Sequence, residues 1–106
     1  MTVELLWWRG CPSWEEATRL VREQMMLAGL DPDSLQLREI RSDADAEAHG
    51  FPGSPTIRVD GRDIQAPGDQ PGGLTCRVYR LADGRISALP DPEWIAAALR
   101  SVSERV

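Results

Sequence analysis

Two periods alternate along the hydrophobic pattern. Residues 3–8, V-E-L-L-W-W, are apolar on both faces apart from Glu4, which predicts a central strand covered from both sides. From Ser13 to about Ala28 the period becomes helical. Trp14, Ala17, Leu20, Val21, Met25, Leu27 and Ala28 share one arc, and Glu15, Glu16, Arg19, Arg22 and Glu23 fill the other. Gly29 is a natural helix end, and Asp31-Pro32-Asp33 forbids continuation. Residues 35–40, L-Q-L-R-E-I, form a second and less apolar strand, whose alternation slips after Leu37 as at a sheet edge or a bulge. Strand, helix and strand make a βαβ unit, so the two strands are expected to run parallel. Ser42, with Asp45 at the capping-box offset, opens a short helix that Gly50 stops.

Residues 54–59 read as a third strand. Asp60-Gly61 is a two-residue hairpin turn, and Arg62-Asp63-Ile64 returns antiparallel to it. Residues 66–73, A-P-G-D-Q-P-G-G, form a loop. Residues 74–81 alternate like a strand, with Leu74, Cys76 and Val78 in phase, so on periodicity alone Cys76 is a core residue. Asp83-Gly84 turns the chain back, giving an added β-hairpin at about 74–88. Asp91 caps a final helix with Pro92 in its first turn, and Ile95, Ala98, Leu99, Val102 and Val106 line one face. The fold class is α/β, a four-stranded mixed sheet flanked by helices. Residues 1–106 read as one domain without internal repeat or linker.

Charge and composition narrow the function. A net charge of −5 argues against a nucleic-acid partner, which would need a basic face. There is no basic leader followed by an apolar run, and no stretch near the ~20 apolar residues of a membrane span, so a cytoplasmic chain without a membrane partner is expected. All 12 basic residues are Arg, which removes Schiff-base and lysine-base chemistry. One histidine, His49, leaves no His-rich metal site, and two cysteines, Cys11 and Cys76, cannot make a four-thiolate zinc site within one chain, so no resident metal is expected.

The stretch W-W-R-G-C-P-S-W, residues 7–14, carries the candidate chemistry. Pro12 fits the first helical position, which sets Cys11 at or beside the N-cap. Free amides and the helix dipole converge there and favour a thiolate. An ordinary cysteine titrates near ~8.5, and helix N-termini lower that to roughly 3.5–7.5.

The order β-α-β-α-β-β, hairpin, α resembles the thioredoxin-like superfamily in its short glutaredoxin form. Cys11-Pro12-Ser13-Trp14 stands where that family has C-P-x-C, and Gly53-Ser54-Pro55-Thr56 stands where it has the cis-proline that opens the third strand. The resemblance covers roughly residues 2–65 and 91–105. It implies Cys11 as the attacking sulfur and Pro55 as the cis-proline. Ser54, Pro55 and Thr56 would hold a substrate strand, with Pro12 and Trp14 beside it. Trp14 replaces the second motif cysteine, so a disulfide within the motif is impossible, as in one-cysteine members of the family. Cys76 is the candidate resolving thiol, because the fourth strand ends at the same sheet edge as Cys11 and the loop that follows leads back to it.

The resulting expectation is thiol–disulfide exchange or deglutathionylation with a protein thiol or glutathione, the latter as co-substrate. Two alternatives stand beside it. Cys11 and Cys76 could bind a thiophilic ion such as mercury or copper(I). The scaffold could also serve as a non-catalytic binding module using the groove beside Trp14. Arg9, Arg58 and Arg77 are candidates for steadying a thiolate or a substrate carboxylate, or else are solvated surface charge. His49 reads as a surface cap at a helix C-terminus.

Overall fold

The computed structural model describes residues 1–65 and 73–103. Most of the predicted loop (66–72), together with the Val102 side chain and Val106 on the final helix, lies outside them. In order come β1 (Val3–Trp7), α1 (Trp14–Leu27), a single 3-10 turn (Pro32–Ser34), β2 (Gln36–Glu39), α2 (Asp43–Ala48), β3 (Thr56–Val59), β4 (Arg62–Asp63), β5 (Tyr79–Arg80), β6 (Ile86–Ser87) and α3 (Pro92–Ser103).

Four strands form a mixed sheet in the order β2-β1-β3-β4. β1 is central, as its two-faced apolar pattern predicts. It runs parallel to β2, with Leu5 opposite Leu37, and antiparallel to β3, with Leu5 opposite Ile57. β2 is an edge strand, which accounts for its weaker hydrophobicity, and Leu37 remains 43% exposed. β3 and β4 are joined by the expected two-residue turn, with positive φ at both Asp60 and Gly61.

Successive residues of β1 point to opposite faces of the sheet. Val3 and Leu5, with Ile57 and Val59 of β3, meet Ala17, Val21 and Met25 of α1 and Ile95 and Leu99 of α3. Leu6 faces the other way, into a smaller cluster with Ile40, Ala46 of α2 and Phe51. Each such buried aliphatic or aromatic side chain contributes about 1.5–3 kcal/mol of transfer free energy, so the sheet centre anchors the domain.

Three helix ends follow the sequence closely. Ser42 Oγ accepts from the Asp45 amide at 3.0 Å, and Asp45 reaches back to the Arg41 amide. Asp91 Oδ1 accepts from the Glu93 amide at 3.0 Å, and its other oxygen accepts from Ala82. These two backbone bonds hold the Asp91 carboxyl below the usual range. At the end of α1 the Gly29 and Leu30 amides fold back onto Met26 and Met25 carbonyls.

Some boundaries differ. Leu27, placed by periodicity on the apolar arc, is 80% exposed, whereas Met25 in the same turn is wholly buried; Thr18 joins the packed side. The predicted hairpin at 74–88 shrinks to the pair β5–β6, Tyr79 opposite Ser87 and Arg80 opposite Ile86. Residues 73–78 do something else, described below. Among the described residues no helix is long and apolar enough to cross a membrane.

Candidate functional site

The site is built where three backbone segments meet: the turn after β1, the loop before β3, and the strap at residues 73–78. The first turn closes with the Cys11 amide on the Trp8 carbonyl at 3.1 Å. α1 then starts later than the sequence suggests. Its N-cap is Ser13, already in helical conformation, and its first helical residue is Trp14; Pro12 and Ser13 form a turn ahead of it. Cys11 is therefore two residues before the cap. The Ser13 side chain makes no cap bond to the helix, and its hydroxyl lies 3.2 Å from Cys11 Sγ instead. Ser13 is thus a local polar partner of the sulfur and not a cap of the helix.

The loop before β3 carries the Ser54–Pro55 peptide in the cis form. Ser54, Pro55 and Thr56 are all fully buried. What covers them is the chain itself. Ser54 pairs in parallel with Cys76: the Ser54 amide donates to the Thr75 carbonyl at 2.8 Å, and the Arg77 amide donates to the Ser54 carbonyl at 2.8 Å. Gly53, at φ +139, is what permits this contact. A Cβ there would come within 3.0 Å of the Arg77 Cβ and 3.2 Å of its backbone. The expected place for a substrate strand, on the Ser54 backbone, is consequently filled by residues 75–77. Thr56 is also engaged, donating to the Gly53 carbonyl at 2.6 Å.

This pairing brings Cys76 to Ser54, the residue whose carbonyl accepts from the Cys11 thiol; both cysteines are free thiols. Their environments are opposite. Cys11 is 2% exposed, whereas Cys76 faces solvent. The core position that alternation gives Cys76 is wrong by one residue: Cys76 and Val78 point outward, and Arg77 and Tyr79 point inward.

The two thiols move in opposite directions from their ordinary value. Burial pushes the Cys11 thiol up. Hydrogen bonds from the Cys76 thiol, from the Ser13 hydroxyl and amide, and from the Ser54 side chain outweigh it, so the Cys11 thiol lies below its ordinary value. In its protonated form the same sulfur donates to the Ser54 carbonyl at 3.4 Å. Cys76 moves the other way, pushed up to about 11, first by its hydrogen bond to Cys11, then by partial burial and by the charge on Cys11. Cys11 is therefore the more acidic sulfur of the two and Cys76 the less acidic.

The strap is held by a polar network. Arg77, 2% exposed, donates to both oxygens of Asp63 at 2.9 and 2.8 Å, to Tyr79 Oη at 3.2 Å, and to the Gln65 carbonyl. Its guanidinium also stacks over the Tyr79 ring at 4.6 Å. Tyr79 Oη donates to the Pro55 carbonyl at 2.6 Å, and burial raises its pKa above the ordinary phenol value. Arg77 is therefore a structural cation and not a free ligand for a thiolate or a substrate carboxylate. Gly53, Asp63, Gln65 and Tyr79 were missed by sequence reasoning. The one available signal was the R-V-Y-R alternation at residues 77–80, which fits a buried Arg and Tyr as well as it fits a buried Cys and Val.

The other candidates separate. Trp14 stacks on Trp7 with ring centroids 4.0 Å apart, so one of its faces packs against β1 and is not open to a ligand. Pro12 is exposed in the turn. Arg9 is at the surface and pairs with Glu39 at 3.7 Å. Arg58 donates to the His49 and Gly50 carbonyls, closing the end of α2, and His49 lies 3.3 Å from Asp45 on that helix. Compared with family models, curated proteins and solved structures, the chain matches none.

Proposed function

We propose that this protein is a thioredoxin-like thiol–disulfide exchange protein whose redox pair is Cys11 and Cys76, drawn from the turn after β1 and from the strap, instead of from a C-x-x-C motif. The sheet order, the cis peptide at Ser54–Pro55 and the position of Cys11 ahead of α1 support the scaffold assignment. The observation that carries the reading is the shared neighbour of the two cysteines: Ser54 pairs through its backbone with Cys76, and its carbonyl accepts from the Cys11 thiol at 3.4 Å. A reduced pair of this kind gives two electrons and two protons to an external disulfide and becomes a disulfide itself. Glutathione and its disulfide are the simplest partners of that class.

The test is a redox titration of the full chain in buffers of reduced and oxidised glutathione, acid-quenched and alkylated, followed by intact mass and peptide mapping. The expected result is a single transition to a Cys11–Cys76 crosslink. A chain that remains a dithiol, or carries only glutathione adducts across the whole range, would refute the proposal.

The same juxtaposition of sulfurs supports a second reading, capture of a thiophilic ion such as mercury or copper(I) by two thiolates. Mass spectrometry after addition of either ion separates the two: a metal-bound species lost in both Cys11→Ser and Cys76→Ser marks the paired site.

A further inference from the structure

We infer that Cys76, and not Cys11, is the sulfur that first bonds the partner, with Cys11 attacking from beneath to resolve the mixed disulfide. This rests on the exchange reading above and reverses the order that the motif suggests.

Access argues for it. Exchange requires a thiolate to reach a disulfide sulfur directly, and its rate depends on that access as well as on pKa. Cys11 is 2% exposed and bonds the Ser54 carbonyl, whose backbone the strap covers. For Cys11 to meet an external disulfide the strap must lift. That breaks both Ser54 backbone bonds and disturbs the Arg77 attachments to Asp63, Gln65 and Tyr79. Cys76 faces solvent and needs no such movement.

Cys76 is the weaker acid of the two, so the attacking form is its minor thiolate fraction, which meets an external disulfide from solvent without any movement of the strap. Cys76 Sγ releases its proton to solvent and attacks one sulfur of an external disulfide. The new Cys76–S bond forms, the external S–S bond breaks, and the leaving thiolate takes a proton from water. Cys11 then releases its proton to solvent, and its thiolate attacks the Cys76 sulfur. The Cys11–Cys76 bond forms and the second external thiolate leaves, to be protonated in turn. The pair has lost two electrons and two protons, and the external disulfide has become two thiols.

Glutathione disulfide is the probe, applied to the full chain and to two isosteric variants. Cys11→Ser is expected to accumulate a stable glutathione adduct on Cys76. In Cys76→Ser the hydroxyl keeps the strap's backbone pairing, and Cys11 is expected to react more slowly than Cys76 does in Cys11→Ser by at least about tenfold. On the unaltered chain, limiting iodoacetamide followed by peptide mapping should label Cys76 before Cys11. Faster adduct formation on Cys11 in Cys76→Ser, with first labelling at Cys11 in the unaltered chain, overturns the order while leaving exchange intact. Failure of the unaltered chain to form any Cys11–Cys76 bond instead removes the exchange reading itself, so the two failures are distinguishable.

Discussion

The centre of the sheet and the strap over it are stabilised by different physics. The side chains of Val3, Leu5, Ile57 and Val59, on the paired strands β1 and β3, are packed with those of α1 and α3 by apolar burial. The strap is held by backbone pairing to Ser54 and by one buried guanidinium shared among Asp63, Gln65 and Tyr79. Apolar packing is spread over many small contacts and tolerates local change. A buried cation concentrates the attachment in a few directional bonds, and losing one partner leaves the other desolvated and unpaired. A rigid sheet thus carries Cys11, while a separately fastened segment carries Cys76. That division is what lets two sulfurs distant in sequence meet without being locked into one packed core.

The largest effect is expected at Arg77. In Arg77→Met the Asp63 carboxylate, 13% exposed, loses its partner, and breaking a buried pair of this kind costs about 3–5 kcal/mol. Urea unfolding measures that cost. The site-specific readout is alkylation against pH, where Cys76 should fall from about 11 back towards 9.0 as it separates from Cys11.

Leu5→Ala should cost about 2–5 kcal/mol by opening a cavity between the sheet and α1. Leu5 is wholly buried in that core, so the pH profile of cysteine alkylation should not move. A profile that shifts as it does in Arg77→Met would break the distinction between core and strap.

Gly53→Ala sharpens the same point at smaller cost. At φ +139, with Arg77 backbone 3.2 Å from the added methyl, strain of about 1–3 kcal/mol is expected. The strap should loosen and Cys11 should alkylate faster. Ser42→Ala removes only the cap of α2, for about 1 kcal/mol, and should leave both cysteines unchanged.

The smallest effect is the pH dependence of the pair. The folded state raises the Cys76 pKa from 9.0 to about 11, so it prefers Cys76 protonated. The stabilisation is full below pH 9 and is lost as pH rises towards 11. Cys11 is shifted down, so its share is present above the ordinary thiol range and is lost as pH falls through its lowered value. In Cys11→Ser the Cys76 contribution should vanish, which melting temperatures recorded from pH 8 upward would show.

Much of the scaffold was readable from local pattern. The apolar run of β1 marked a central strand, Asp60-Gly61 marked the hairpin, and Ser42 and Asp91 marked two helix starts. Each of these depends on residues within a few positions of one another. The start of α1 was misplaced because Pro12 is equally at home in a turn ahead of the helix, and the Ser13 hydroxyl faces the sulfur and not the helix. The face of Cys76 was misread because period-two alternation has two phases, and hydrophobicity selects the wrong one when a buried Arg has an acidic partner fourteen residues away.

Sequence alone therefore determined that a thiol sits on the turn between a buried strand and a helix, and that a second thiol follows a Gly/Pro-rich stretch. Only the tertiary structure decided that the second lies on the outside and the first beneath it. That arrangement depends on Gly53 admitting the strap, on Ser54 pairing with it, and on Asp63 neutralising Arg77. Such long-range partners leave no periodic trace along the chain, because each is a single residue whose role exists only once the others are in place.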